Sequence, residues 1–246
     1  MKIINESCFD TLLAMEDNSI DLIITSPPYN LNKDYEVKAD ISDYLIWIKS
    51  LIPLLYDKIS HTGSLCFQTG NYIESGSVYP LDCLLFNEFV AAGFKPRNRI
   101  IWQFGHGLHC KKRFSGRHET ILWFTKANDY VFNLDMVRVP SKYPNKKHFK
   151  GAKKGQLSGN PLGKNPSDVW DITNVKHNHP EKTDHPCQFP ELLVERLILS
   201  LTNERQLVYD PFGGSGTVLK VCQNLNRRGI MSEINSKYCE IAKNRL

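Results

Sequence analysis

Two short stretches carry residue types that do chemistry only in the right company. Ser26-Pro27-Pro28-Tyr29 follows the apolar, β-branched run Ile20-Asp21-Leu22-Ile23-Ile24, and prolines cannot extend a central strand ladder, so the strand stops at Thr25. Each proline fixes its own φ and pushes the residue before it into an extended conformation. The result is a stiff bracket bearing a hydroxyl, a carbonyl and an aromatic ring at the strand's carboxyl end, where open α/β sheets hold their ligands. The second stretch is Asp210-Pro211-Phe212-Gly213-Gly214-Ser215-Gly216-Thr217, between an apolar strand and a helix. Its glycines let the backbone come close to a ligand, and Glu233 closes the next strand about 20 residues on, where a carboxylate accepts both hydroxyls of a ribose. The turn lacks the Gly-Lys-[Ser/Thr] ending of a nucleotide phosphate loop and is not GxGxxG. Taken singly, each stretch also has a plain reading, as a proline-rich turn and as ordinary strand-to-helix geometry.

The elements that must position these residues alternate apolar strands with amphipathic helices, the pattern of a doubly wound, mostly parallel sheet. Strands are expected at Leu22–Thr25, Ser64–Gln68, Arg99–Phe104, Thr120–Thr125, Leu207–Tyr209 and Gly229–Ser232. Helices are expected at Ser42–Tyr56, Tyr79–Ala92, Pro190–Leu201, Thr217–Asn224 and Lys237–Leu246. Between Asn128 and Lys182 the periodicity fails and glycine, proline and lysine dominate, which predicts a long irregular insertion that need not be ordered without a ligand.

Charge is divided unevenly. Lys95 to Lys182 holds 18 Lys and Arg against 6 Asp and Glu, while the rest of the chain holds 13 against 20. A basic insertion on an acidic body suggests a polyanionic partner, nucleic acid before membrane, against the plainer reading of a solvated basic surface. No run of 18 apolar residues and no basic-then-apolar start is present, so a cytoplasmic, nucleoid-associated protein is expected. Seven cysteines without a CxxC pair fit reduced thiols. His106, His109, Cys110 and His118 match no standard zinc spacing, and no metal is expected. In the same stretch Lys111, Lys112, Arg113 and Arg117 surround Phe114, which reads as a DNA-contacting loop or as a solvated basic turn. Trp47, Trp102, Trp123 and Trp170 read as core or interface.

Together, TSPPY and DPFGGSGT resemble the catalytic and cofactor motifs of amino-group DNA methyltransferases that use S-adenosylmethionine. Their order, catalytic motif first, is similar to the permuted β class, whose target-recognition region lies between them. The resemblance extends to EKTDHPCQFP and to LIPLLYDKISHTGSLCFQTGN, and so covers nearly the whole chain outside the insertion. It implies residues 1–104 as the catalytic half, 105–182 as a target-recognition insertion with an interleaved sheet strand, and 183–246 as the cofactor-binding half. It further implies that Ser26, Pro27, Pro28 and Tyr29 hold a flipped base. The cofactor would lie on Ser7, Cys8, Ser26, His185, Cys187, Gln188, Asp210, Phe212, Gly214, Ser215, Gly216, Thr217 and Glu233. Where many relatives have Gly-Asp-Cys, this chain has Glu6-Ser7-Cys8, so the adenine contact falls to Ser7 or Glu6. Serine before the prolines resembles the members that methylate N4 of cytosine, with N6 of adenine as the alternative. Double-stranded DNA is the implied partner; a cognate restriction endonuclease and a second copy of the chain are left open. Other classes are a catalytically inactive DNA-binding protein on the same fold and a methyltransferase acting on protein glutamine, whose relatives have asparagine before the prolines and the glycine motif first.

Overall fold

The computed structural model describes residues 1–29, 39–107 and 109–246. In chain order the elements are β1 (Lys2–Ile4), α1 (Cys8–Ala14), β2 (Ile20–Thr25), α2 (Ile41–Lys58), β3 (Ile59–Thr69), β4 (Asn71–Glu74), β5 (Ser77–Pro80), α3 (Leu81–Ala91), β6 (Lys95–Gln103), β7 (His118–Thr125), β8 (Val169–Asp171), α4 (Glu191–Leu201), β9 (Leu207–Asp210), α5 (Thr217–Asn224), β10 (Arg228–Ser232) and α6 (Ser236–Arg245). Eight strands form one sheet in the order β1-β10-β9-β2-β3-β7-β6-β8. Among the described residues, only β7 of this eight-stranded sheet runs against its neighbours. This is the doubly wound, mostly parallel α/β sheet that was expected.

Period-two alternation divides the central strands' apolar residues between two main cores. Ile23, Leu65, Phe67, Leu122 and Phe124 pack with α1, α2 and α3 on one face. Leu22, Ile24, Cys66, Ile121 and Trp123 pack with α4 and α5 on the other, together with Trp102 and Trp170. Strand order reverses between β9 and β2, because the chain after β9 winds toward β10 and β1 while the chain after β2 winds toward β3. Such a reversal opens a crevice at the strands' carboxyl ends, and both chemistry-bearing stretches begin there.

All expected strands and helices are present, with ends moved by a few residues. Five of these elements were not foreseen. β1 and α1 are too short to show a period, and β8 is a three-residue strand added to the sheet edge beside β6. The hairpin β4-β5 turns at Ser75 and Gly76, both at positive φ (49° and 86°), as a two-residue hairpin turn requires. The insertion is largely irregular, as expected, and folds back on itself: Val139 bridges Lys164 and, further out, Lys147 bridges Leu157, giving nested arms that carry most of its lysines. None of the described helices is long and apolar enough to cross a membrane.

Candidate active site

The bracket leaves β2 at Thr25 and is fixed through its tyrosine. Ser26 Oγ lies 2.9 Å from the Tyr29 hydroxyl, and that hydroxyl donates to Glu119 Oε2 at 3.3 Å. Gln68 Nε2 donates to the same carboxylate oxygen. The Tyr29 ring packs against Gly70, where even a Cβ would come within 3.3 Å of it, so the glycine leaves room for the ring. Pro27 is buried, while Ser26, Pro28 and Tyr29 are half-buried. Burial, with the Glu119 charge second, pushes the Tyr29 phenol well above its usual range, so it stays protonated and can donate.

The glycine turn lies beside the bracket, because β9 and β2 are neighbours. Asp210 ends β9 almost wholly buried, its Oδ1 accepting the Phe212 N–H at 3.1 Å. Burial pushes this carboxyl up to about 7, only partly offset by that N–H and by the Thr25 hydroxyl facing it. The Phe212 ring meets Trp47 edge-on at 5.6 Å, so this tryptophan supports the turn. Gly214, at φ 48°, donates its N–H to Glu233 Oε2 at 2.9 Å, and Glu233 Oε1 accepts the Asn235 N–H at 2.8 Å. β1 brings the amino terminus to this place: the Glu233 N–H bonds Ile4 O and Asn5 Nδ2 reaches Glu233 O. Ser7, Asp210 and Glu233 thus lie at or just beyond the ends of three adjacent strands.

The remaining expected cofactor residues are placed less uniformly. Ser7 caps α1, its hydroxyl accepting the Phe9 N–H at 3.2 Å. The Cys8 thiol lies in the core, and burial pushes it up to about 12. His185 is buried, 4.3 Å edge-on to Tyr238, with Nδ1 against the Cys187 carbonyl; burial lowers it to about 4, so it is neutral. A Cβ on Gly214 would approach His185 Nε2 to 2.9 Å, so glycine permits this packing as well as the positive φ. Gln188 spans its own loop, accepting from Thr183 Oγ1 and donating to Glu181 O, while Cys187 is exposed. The buried hydroxyls of Ser215 and Thr217 turn toward Arg245, which donates to both and, through its other nitrogen, to Glu191 Oε1 at 2.7 Å. Gly216, at φ 76°, opens α5 so close to α6 that a Cβ would sit 2.6 Å from that of Ala242.

Lys111, Lys112 and Arg113 stand exposed in the loop from Phe104 to Arg117, with Arg117 half-buried. β6 enters this loop and β7 leaves it at the same sheet end as the bracket, two residues before Glu119. Phe114 at its tip is fully exposed. Among the described residues no three metal-ligating side chains cluster. Sequence reasoning missed Gln68, Glu119 and Arg245, whose partners in the bracket and the glycine turn are distant in sequence.

A mostly parallel sheet that reverses between a glycine turn and a polar bracket places this chain in the doubly wound α/β class, with both stretches at one sheet end. The family model described as a DNA methylase, of the N6/N4 type, matches residues 20–244. The chain is 50% identical to type II methyltransferase M.BglII of Bacillus subtilis over 98% of this chain and 67% of that one. It is 30% identical to DNA adenine methyltransferase YhdJ of Escherichia coli (strain K12) over 99% and 82%. The solved PvuII DNA methyltransferase (cytosine-N4-specific) superposes with a TM-score of 0.80 at 22% identity, covering 99% of this chain and 85% of that one. The M1.HpyAVI-SAM complex superposes at 0.68, covering 99% and 98%. The chain therefore belongs to the N6/N4 DNA methylase family, the amino-group DNA methyltransferases, whose cofactor is S-adenosylmethionine.

Proposed function

We propose that this chain methylates N4 of cytosine within a specific sequence of double-stranded DNA. The carrying observation is the neutral Ser26 hydroxyl at the head of the bracket, held 2.9 Å from Tyr29. An aryl amine is a poor nucleophile because its lone pair is delocalised into the ring, so orientation and acceptors for the developing positive nitrogen supply the catalysis. Ser26 Oγ and the Pro27 carbonyl take the two amine hydrogens, and Tyr29 stacks on a base that has left the duplex. Unlike an ionised aspartate, Ser26 accepts from the amine while donating elsewhere, an arrangement that suits the smaller pyrimidine.

The residues present suit S-adenosylmethionine. Its ammonium and sulfonium match a crevice whose buried Asp210 carries an unfavourable negative charge at neutral pH. Glu233 accepts the Gly214 and Asn235 N–H groups, and its carboxylate has further lone-pair capacity for a ribose hydroxyl. When bound, the cofactor supplies an electrophilic methyl group. Asp210, Phe212 and His185 to Gln188 hold its methionine part, Glu233 its ribose, and the Ser7-Cys8 corner its adenine. The basic loop beside the bracket and the insertion behind it bind and read the DNA, so residues 105–182 select the target while 1–104 and 183–246 carry the chemistry. The type II names of the relatives support a cognate endonuclease as counterpart.

Adenine N6 is the second reading, favoured by the printed name of YhdJ. Mass spectrometry of nucleosides from DNA treated with the enzyme and cofactor decides between them: 4-methylcytosine is expected, and 6-methyladenine as sole product overturns the choice of base.

A further inference from the structure

The hydrogen-bond directions in the bracket assign a job to Glu119. Its carboxylate can only accept, so the single Tyr29 proton, which reaches Glu119 Oε2, is committed to that bond. The Tyr29 oxygen is then an acceptor toward Ser26, and the Ser26 proton points at Tyr29 across the 2.9 Å contact. Ser26 is left with lone pairs alone on its open side. A serine hydroxyl that would otherwise rotate freely becomes a fixed acceptor, and the chained bonds strengthen one another. Gln68 holds the carboxylate from β3: it is 4% exposed, its Nε2 bonds Glu119 Oε2, and its Oε1 has no partner among the described residues.

The geometry points to Glu119 as a positioning residue and terminal proton acceptor for methyl transfer, acting through Tyr29 on Ser26. This rests on the reading of Ser26 as the amine's acceptor. Once methylated, the amine nitrogen carries one proton and one positive charge too many. That proton passes to Ser26 Oγ as the Ser26 proton passes to Tyr29 and the Tyr29 proton to Glu119 Oε2. One N–H bond is lost and one carboxyl O–H bond is gained; Ser26 and Tyr29 end as they began, the base is neutral and so is Glu119. Glu119, half-buried at the start of β7, then passes the proton to solvent. Burial, which raises its carboxyl above the usual range, makes it a better acceptor than a surface glutamate.

The test is a double-mutant cycle of Glu119→Gln and Tyr29→Phe in the full chain, with duplex DNA that the wild type is first shown to label from methyl-labelled S-adenosylmethionine. If the wild type labels no DNA, the proposed function fails, whatever Glu119 does. Given labelling, each single variant is expected to lose about 100-fold in single-turnover rate, the low end for a positioned proton acceptor, with half-saturating cofactor and DNA concentrations within about twofold. The double variant loses no more than either single. A wild-type rate in either variant, or a double variant slowed by the product of the two factors, overturns the relay. So does a Glu119→Gln loss confined to cofactor affinity. If Glu119→Gln melts early, Tyr29→Phe alone decides, because it keeps the ring and removes only the hydroxyl link.

Discussion

Replacing Asp210 by asparagine separates the cost of a buried charge from the geometry that surrounds it. The variant keeps an oxygen for the Phe212 N–H, so the turn's backbone bond survives. The charge does not. In the folded chain burial raises this carboxyl from 3.8 to about 7, with Glu233 adding to the rise. A raised carboxyl contributes stability that is fully present below the unfolded value and is lost as pH climbs through the folded one. The window therefore runs from about pH 4 to pH 7. A carboxyl raised from 3.8 to about 7, at 1.36 kcal/mol per pH unit, sets the loss at about 4 kcal/mol. For a chain of this size that is roughly 10 °C in melting temperature. Melting wild type and Asp210→Asn side by side from pH 5 to 8.5 should show the variant's advantage growing by about 1.4 kcal/mol per pH unit, then levelling above pH 7. S-adenosylmethionine should narrow that advantage at pH 8, since a cation beside Asp210 stabilises its charged form only in the wild type. A difference independent of pH, or a variant less stable than wild type at pH 8, would refute the reasoning.

Arg245 ties the glycine turn to α4, so Arg245→Met should cost about 2 to 3 kcal/mol in chemical denaturation, because Glu191 and two buried hydroxyls lose their partner. A loss below about 0.5 kcal/mol would place the clamp among the inconsequential surface pairs. Neutralising Lys111, Lys112 and Arg113 together should flatten log affinity against log salt for duplex DNA by up to roughly three units, about 0.9 per phosphate contact removed. An unchanged slope would mean that this loop faces solvent in the complex.

The bracket and the glycine turn were legible in the sequence because proline and glycine act locally. Pro27 and Pro28 end β2 whatever surrounds them, and Gly216 opens α5 at Thr217 as expected from its neighbours alone. β8 was not legible, since three residues become a strand only because the β6 edge stands open beside them. The hairpin at Ser75 and Gly76 carried its dipeptide turn signal, but its strands of four residues are too short for alternation to speak. Glu119 belongs to a different kind of omission. It follows a histidine in a basic stretch and reads as one more surface charge until β3 and β7 pair, setting Gln68 and Thr69 opposite Ile121 and Thr120. That register, fixed by which faces of two strands are apolar, carries a carboxylate to a tyrosine 90 residues earlier in the chain. Ser7 was legible by position alone, and the structure adds that its hydroxyl also caps α1 by accepting the Phe9 N–H. Residue type and spacing announce groups that act through their own backbone, whereas groups that act by holding another side chain become visible only once the sheet has chosen its register.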